Sequence, residues 1–215
     1  MVLSEINCKE IFKAAYEKRY TWPFKFKGYK GKCKFIQGGK SYEGRFTLSK
    51  NFKPEISGIS QEKIINGLKS QLFEVAIHRV KKEFNEVHLN NQFQLVKESE
   101  KGLEMKVSGK NEGDRYRVKD SKINMVFRKI HGVIIEIFVE EFFKADSNFL
   151  SKRYTSQQLD IDSLSPKSNK YEYKDTFFKS EELGIWLLNS RLVTYEDASS
   201  NIISQEYIFE DLSKI

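Results

Sequence analysis

The sequence predicts an α+β fold: a curved antiparallel β-sheet of about nine to eleven strands, a half-barrel or open barrel, packed around a long amphipathic helix and an N-terminal helix. Three observations favour this fold class. The stretch Ser60–Phe84 carries apolar residues at helical spacings of three and four. Most segments after it alternate apolar and polar residues, as half-buried strands do. Phenylalanine occurs 17 times and tyrosine 10 times against three prolines, which is typical of β-rich proteins.

The two helices have recognisable starts. A first helix is expected from Ser4, its N-cap, to about Arg19, because Trp22-Pro23 disfavours helix immediately afterwards. The long helix is expected to begin at Ser60 as N-cap and to run to Phe84. Its wide apolar stripe comprises Ile64, Ile65, Leu68, Leu72, Phe73, Val75, Ala76, Ile77, Val80 and Phe84.

Two strands are predicted between the helices. Phe24–Phe35 alternates aromatic residues with lysines, with a turn or bulge at Gly28. Gly38-Gly39 predicts a hairpin turn into a returning strand over Ser41–Ser49. Asn51–Gly58 is expected to be the loop that leads into the long helix.

The rest of the chain predicts strands joined by short turns. They are Gln92–Lys97, Gly102–Val107, Arg115–Lys119, Lys122–Ile130, Val133–Phe143, Phe149–Gln158, Lys170–Phe178, Ile185–Tyr195 and Asn201–Glu210. The serine-rich Asp160–Asn169 is the best candidate for a mobile loop. It lacks the ligands and the glycine of an EF-hand loop, which excludes that reading. No repeat or linker interrupts the pattern, so residues 1–215 are predicted to form a single domain.

Charge and cysteine content restrict the environment of the protein. The formal net charge of +7 comes from 37 basic and 30 acidic residues that are interspersed, so it permits contact with nucleic acid or an anionic membrane without favouring either. Cys8 and Cys33 stand alone, which favours a reducing compartment. The N-terminal segment has no long apolar region, so it does not read as a signal peptide. These features predict a soluble cytoplasmic protein, with peripheral membrane contact left open.

No familiar catalytic or metal-binding pattern is present. The sequence has no HExxH, P-loop, GxGxxG or GxSxG motif, and we expect neither a metal nor a cofactor. Of the three histidines, His78 at the edge of the helical stripe and His131 in a predicted turn could each serve as the general base of an unrecognised enzyme. A structural role is the more common explanation, at a helix boundary for His78 and in a tight turn for His131. His88 reads as part of a loop and is given no role.

Arginines and aromatic residues suggest a ligand site. Arg79, Arg115, Arg128 and Arg153, with Tyr154, could line one polar end of a cavity, because guanidinium groups bind carboxylate or phosphate in a bidentate manner. Ordinary ion pairs with Asp114, Glu136 or Glu140 are the alternative. Candidates for an apolar cavity wall are Tyr171, Tyr173, Phe177, Trp186 and Leu188. The more common outcome would be that they pack against the long helix and leave no cavity.

The basic and aromatic residues of Lys25–Lys34 suggest a further alternative, a nucleic-acid-binding module. Alternation along a strand argues against it, since lysines and aromatic rings would then point to opposite faces. Stacking platforms need both on one accessible face. Binding to nucleic acid is therefore expected to be the weaker hypothesis.

Short motifs of the chain form a recognisable set. They are Ala14-Ala15-Tyr16-Glu17, Arg19-Tyr20-Thr21-Trp22, Gly28-Tyr29, Ala76-Ile77-His78-Arg79-Val80, Gly113-Asp114-Arg115-Tyr116, Ile130-His131-Gly132-Val133, Arg153-Tyr154 and Asp175-Thr176. This set resembles a cyanobacterial family of uncharacterised proteins that carries a domain of unknown function. The resemblance spans most of the chain and implies a soluble protein of a photosynthetic organism without established catalytic activity. It marks motif positions but supplies no catalytic residues.

The order of helices and strands is also similar to the half-barrel of bacterial lipoprotein carriers, an analogy of layout that does not fix function. The first hypothesis is a non-enzymatic binding protein for a lipid, a pigment or another apolar or amphipathic ligand, or for a protein partner in assembly. The residues expected to contact the ligand are His78, Arg79, Arg115, Tyr116, His131, Tyr154 and Trp186.

Overall fold

The computed structural model describes residues 7–215, which form three helices and twelve strands in two compact units. The helices are α1 (Cys8–Glu17), α2 (Glu62–Arg79) and α3 (Phe84–His88). The strands are β1 (Gly28–Gln37), β2 (Lys40–Ser49), β3 (Pro54–Ser57), β4 (Asn91–Ser99), β5 (Gly102–Gly109), β6 (Arg115–Lys119), β7 (Lys122–Ile130), β8 (Val133–Ala145), β9 (Asn148–Asp160), β10 (Tyr171–Ser180), β11 (Ile185–Glu196) and β12 (Ile202–Lys214).

The first unit contains the described residues up to Tyr20 together with Lys82–Glu172. Its strands lie in the order β9-β8-β7-β6-β5-β4, each antiparallel to its neighbour. Helix α1 packs against β4, β6 and β7. Phe12 of α1 is buried in the centre of this core, where its ring lies 4.5 Å from that of Tyr116 and 4.8 Å from that of Phe93.

The second unit contains Thr21–Lys81 and Tyr173–Ile215. Its strands lie in the order β3-β2-β1-β12-β11-β10. Helix α2 packs against β1 and β3 and buries one side, formed by Leu68, Leu72, Val75 and Ala76. Within the described residues, no helix is both long enough and apolar enough to cross a membrane.

The predicted antiparallel and unclosed sheet is confirmed, since β3 and β4 each pair on one side only. Twelve strands occur where about nine to eleven were expected. The additional strand is β3, in the segment that the pattern assigned to a loop. It pairs with β2 from Pro54 opposite Leu48 to Ser57 opposite Arg45. The half-barrel curvature and the single domain stay predictions.

The first helix is shorter than its pattern indicates. Asn7 is its N-cap, and the Asn7 side chain accepts a hydrogen bond from the Glu10 N–H at 3.2 Å. The predicted cap, Ser4, lies outside the described residues. The helix ends at Glu17, two residues before Arg19.

The long helix is also shorter than expected, and both predicted ends are wrong. It begins at Glu62 with Gln61 in the N-cap position, so Ser60 does not cap it. It ends at Arg79 because Val80 takes extended angles, with φ −63° and ψ 123°. Phe84 belongs instead to α3, which begins with a capping box between Glu83 and Glu86.

The predicted alternation in the first strand is confirmed over most of its length. Strand β1 buries Tyr29, Cys33 and Phe35, with Lys30 and Lys32 on the other side. The strand begins only at Gly28, whose φ of +112° favours glycine. Residues 24–27 are therefore not a strand, which explains why Phe24 is exposed rather than in the core.

Tyr29 gives a stability prediction for the second unit. Its side chain is fully buried, its hydroxyl has no hydrogen-bond partner among residues 7–215, and burial raises its pKa. A buried hydroxyl without a partner costs about 1–3 kcal/mol, so Tyr29→Phe is expected to leave the free energy of unfolding unchanged or to raise it by about 1 kcal/mol. Urea denaturation measures the effect. Tyr116→Phe is the matched control, because the Tyr116 hydroxyl donates to Asp114 at 3.1 Å and its loss should destabilise. Clear destabilisation by Tyr29→Phe would contradict the prediction.

Candidate functional site

A polar cluster lies inside the first unit, beside the aromatic core under α1. We call Arg19, His88, Asp114, Tyr116 and Arg128 the arginine cluster. They come from the segment after α1, from α3, from the turn before β6, from β6 itself and from β7. The cluster therefore joins charged side chains from distant parts of the chain.

Asp114 is the acidic centre of the cluster and is 3% exposed. Its carboxylate accepts hydrogen bonds from the Tyr116 hydroxyl at 3.1 Å, from Arg128 Nε at 3.2 Å and from the Lys129 N–H at 3.1 Å. Gly113, with φ of +87°, turns the chain so that Asp114 enters this position. The carboxylate is thus held by three donors.

Arg19 is fixed by its backbone and by Tyr16. The flanking Tyr20 N–H donates to the Phe149 carbonyl at 2.9 Å, which anchors the segment beside β9. Arg19 Nε donates to the Tyr16 carbonyl at 3.0 Å, and its guanidinium carbon lies 3.7 Å from the Tyr16 ring centroid. Burial lowers the pKa of Arg19. No carboxylate of the described residues forms an ion pair with it.

The cluster has an excess of positive charge. Arg128 Nε and the Tyr116 hydroxyl bond to the same oxygen of Asp114, and Arg19 stacks on the Tyr16 ring, which lies 5.3 Å from the His88 ring. Both arginines act electrostatically on His88 and on Tyr116. Asp114 is bonded to Arg128, and among residues 7–215 no carboxylate pairs with Arg19. Burial raises the pKa of the Tyr116 hydroxyl, which therefore stays protonated and adds no negative charge at neutral pH.

His88 is a member of the cluster that the sequence reasoning missed. It is 3% exposed, and its Nδ1 lies 2.9 Å from the Asn91 side-chain amide, which donates to it. Its ring lies 5.2 Å from the ring of Phe12 and 5.3 Å from that of Tyr16. Burial, and then the nearby arginines, lower its pKa to about 4. The imidazole is neutral at neutral pH. The capping-box pair at the start of α3 was the sequence signal that could have placed it on a helix.

An apolar strip begins next to the cluster. The strand register places Ile135 of β8 opposite Arg128, and Ile137 and Val139 follow on the same face of β8. Tyr154 of β9 pairs with Val139. The three aliphatic residues are only half-buried, so apolar surface continues from the guanidinium group along one strand.

The candidate ligand residues of the first unit do not all converge. Arg115 and Tyr116 are neighbours on β6 and point to opposite faces of the sheet. Tyr116 enters the arginine cluster, whereas the Arg115 guanidinium lies 4.0 Å from the Phe127 ring centroid and 3.7 Å from Glu104. Tyr154 is on the Tyr116 face, at the far end of the apolar strip. His131 is exposed in the turn between β7 and β8, with φ of +49°.

The other three candidates belong to the second unit. His78 and Arg79 are the last two residues of α2, where His78 is exposed and Arg79 is half-buried. Trp186 lies on β11, and its carbonyl accepts a hydrogen bond from Trp22 Nε1 at 3.2 Å. Their proposed contact with a ligand stays a prediction.

Two alternatives to a binding protein were an unrecognised enzyme and a nucleic-acid-binding module. His78 and His131 both lie at the surface, and residues 7–215 contain no group of His, Cys, Asp and Glu side chains able to hold a metal ion. In the basic segment, Lys32 pairs with Asp211 at 2.7 Å and Lys34 with Glu43 at 2.8 Å. Lysines that already have carboxylate partners, on the face opposite the aromatic rings, are poorly arranged for stacking nucleic-acid bases.

Comparisons with known proteins give a family match but no activity. Residues 3–215 match the model of the family described as protein of unknown function, DUF3386. The predicted resemblance to proteins with a domain of unknown function is thereby confirmed, while the cyanobacterial origin stays a prediction. Curated proteins give no match. A crystal structure of a DUF1329 family protein from Desulfovibrio piger is 10% identical with a TM-score of 0.31, over 98% of this chain and 94% of that chain.

Proposed function

We propose that this chain, which belongs to the DUF3386 family, is a non-enzymatic binding protein for an amphipathic molecule with an anionic head group. The observation that carries the proposal is that the cluster holds two guanidinium groups, Arg19 and Arg128, and one carboxylate, Asp114, which is bonded to Arg128. The apolar strip of β8 begins opposite Arg128. The head group would bind at the arginine cluster, and the hydrocarbon part would lie along Ile135, Ile137 and Val139.

The head-group assignment rests on the donors of Arg19. Its Nε is engaged with the Tyr16 carbonyl, and stacking on the Tyr16 ring holds the guanidinium plane in place. Within the described part of the chain, its two terminal nitrogens make no hydrogen bond and can donate to a ligand. A planar guanidinium that is already positioned binds carboxylate or phosphate with little further loss of side-chain entropy. An anionic group would also relieve the repulsion between Arg19 and Arg128.

The chemistry of the cluster supports binding rather than catalysis. Neutral His88 and protonated Tyr116 do not exchange protons readily near neutral pH, because the pKa of His88 is about 4 and that of Tyr116 is raised. Asp114 is fully engaged by three donors. The cluster therefore lacks a group poised as general acid or base.

Binding of dodecanoate and of dodecanol, which share a chain length and differ in charge, tests the proposal. We expect the protein to bind dodecanoate in isothermal titration calorimetry, and Arg19→Gln to weaken that binding by about tenfold through loss of a charge-assisted hydrogen bond. Dodecanol should bind weakly and equally to both proteins.

Arg117→Gln is the matched control, because Arg117 lies on the opposite face of β6 and bonds to Asn124. It should leave dodecanoate binding unchanged. Equal binding of dodecanoate by the wild type and Arg19→Gln, or no binding at all, would contradict the assignment of the head-group site. Loss of binding in Arg117→Gln to the same extent would do so as well.

A further inference from the structure

Helix α2 of the second unit is apolar on two sides. One side is buried and includes Leu68 and Leu72. On the outward side, Phe73 and Ile77 lie one turn apart and are 47% and 44% exposed. A helix with apolar residues on both sides is ordinarily covered on both. Among the described residues, the outward side of α2 is therefore only partly covered.

A second exposed apolar side chain, Phe24, lies in the segment held at the C-terminal end of the helix. The Trp22 N–H donates to the Arg79 carbonyl at 2.7 Å, which holds the preceding segment beside the last turn of α2. Phe24 follows two residues later and is 71% exposed. The Lys81 ammonium group lies 5.4 Å from its ring centroid. A large aromatic side chain in water beside a lysine is typical of residues that enter a membrane interface.

The charge around these apolar residues is positive. Lys25, Lys27 and Lys81 are exposed near Phe24. The acidic residue on the C-terminal half of α2, Glu74, already has a cationic partner, since its carboxylate lies 3.4 Å from Arg191 Nη1. Exposed aromatic and aliphatic side chains flanked by lysines complement a surface that is apolar inside and negatively charged outside.

We propose that Phe24, Phe73, Ile77 and Lys81 form a docking surface for an anionic lipid membrane. Phe24, Phe73 and Ile77 enter the interface between head groups and acyl chains, and the lysines contact the lipid phosphates. This surface is separate from the arginine cluster and does not depend on the function proposed for it. It would bring a binding protein for amphipathic molecules to the place where such molecules reside.

Co-sedimentation of the full chain with vesicles tests the docking surface. The wild type is expected to bind vesicles of phosphatidylcholine mixed with phosphatidylglycerol, and to bind pure phosphatidylcholine at least about tenfold more weakly. Phe73→Ser combined with Ile77→Ser should weaken binding to the mixed vesicles by about tenfold or more. Ile202→Ser is the control, because Ile202 is an exposed isoleucine, at 71%, on β12 of the same unit. It should bind as the wild type does.

A charge reversal separates the electrostatic part. Lys81→Glu should weaken binding to the mixed vesicles by about tenfold and leave the weak binding to pure phosphatidylcholine unchanged. Lys40→Glu, at the exposed hairpin turn, makes the same change of charge elsewhere and should have a much smaller effect. Equal effects of the two reversals would show net charge alone at work and would overturn the proposal. A second outcome would also overturn it: the wild type does not bind vesicles but associates with itself, and Phe73→Ser combined with Ile77→Ser abolishes that self-association.

Discussion

Replacing Asp175 with asparagine is expected to lower the free energy of unfolding of the second unit by about 3–5 kcal/mol. The side chains of Asp175 and Arg191 are 2% and 3% exposed. Arg191 Nε and Nη2 donate to the two carboxylate oxygens at 2.8 and 2.7 Å. The substitution leaves a buried guanidinium without its bidentate carboxylate, while a second carboxylate, Glu74, is 3.4 Å away and partly in solvent.

The same ion pair attaches α2 to the sheet, since Arg191 Nη1 also donates to the Gln71 side chain at 3.0 Å. Its loss should therefore loosen the helix as well as the strands. Trp22 and Trp186, the two tryptophans of the chain, both belong to the second unit. Tryptophan fluorescence during urea denaturation consequently reports on this unit, and the denaturation midpoint measures the effect.

A double variant distinguishes the destabilisation caused by an unpaired buried charge from the stabilisation that the ion pair itself contributes. Asp175→Leu with Arg191→Met should recover much of the stability, because neither buried charge remains. Glu43→Gln is a control at an exposed ion pair, with Lys34, and should change the midpoint little. A small effect of Asp175→Asn, or a double variant as unstable as the single one, would contradict this account of the pair.

Local patterns predicted most strands because alternation and turn residues are local signals. Gly38-Gly39 turns the hairpin between β1 and β2 as expected, with φ of +56° and +75°. Strand β3 was missed because it has only four residues and begins with Pro54, so its alternation is too short to distinguish it from a loop, and only pairing with β2 defines it. The end of α2 was missed because Phe84 continues the helical spacing of Val80. Its ring belongs to the core of the first unit, and spacing does not say which core a side chain enters.

The candidate site was less predictable because it depends on tertiary pairing. Arg128 was singled out from the sequence as a possible ligand-binding residue. Arg19 was not, because it is far from Arg128 in sequence and the two interact only in the folded chain. His88 read as a loop residue because α3 has only five residues, too few to show a helical spacing. The opposite directions of Arg115 and Tyr116 were foreseeable, since successive residues of a strand face opposite sides. The sequence did not show which face of β6 carries the charged cluster, because that depends on where α1 packs against the sheet.

His88 should make the first unit lose stability as the pH falls. Its folded pKa of about 4 lies below the usual value of 6.5, because burial and the adjacent arginines disfavour the charged imidazole. The unfolded chain therefore takes up the proton first. Stability is fully present above about pH 7 and is lost as the pH falls from about 6.5 towards 4. Between pH 7.5 and pH 5 the expected loss is about 1–2 kcal/mol.

Two measurements isolate this contribution from that of other titrating groups. Urea denaturation followed by far-ultraviolet circular dichroism at both pH values should show a smaller pH dependence in His88→Gln than in the wild type, whatever the absolute stability of the variant. His131→Asn, in an exposed turn that tolerates asparagine, should retain the full dependence. Proton NMR of the three histidines gives the pKa of His88 directly once His88→Gln identifies its signal. An imidazole that titrates near 6.5 would mean that water reaches His88, and the aromatic packing that surrounds it would then not be closed in solution.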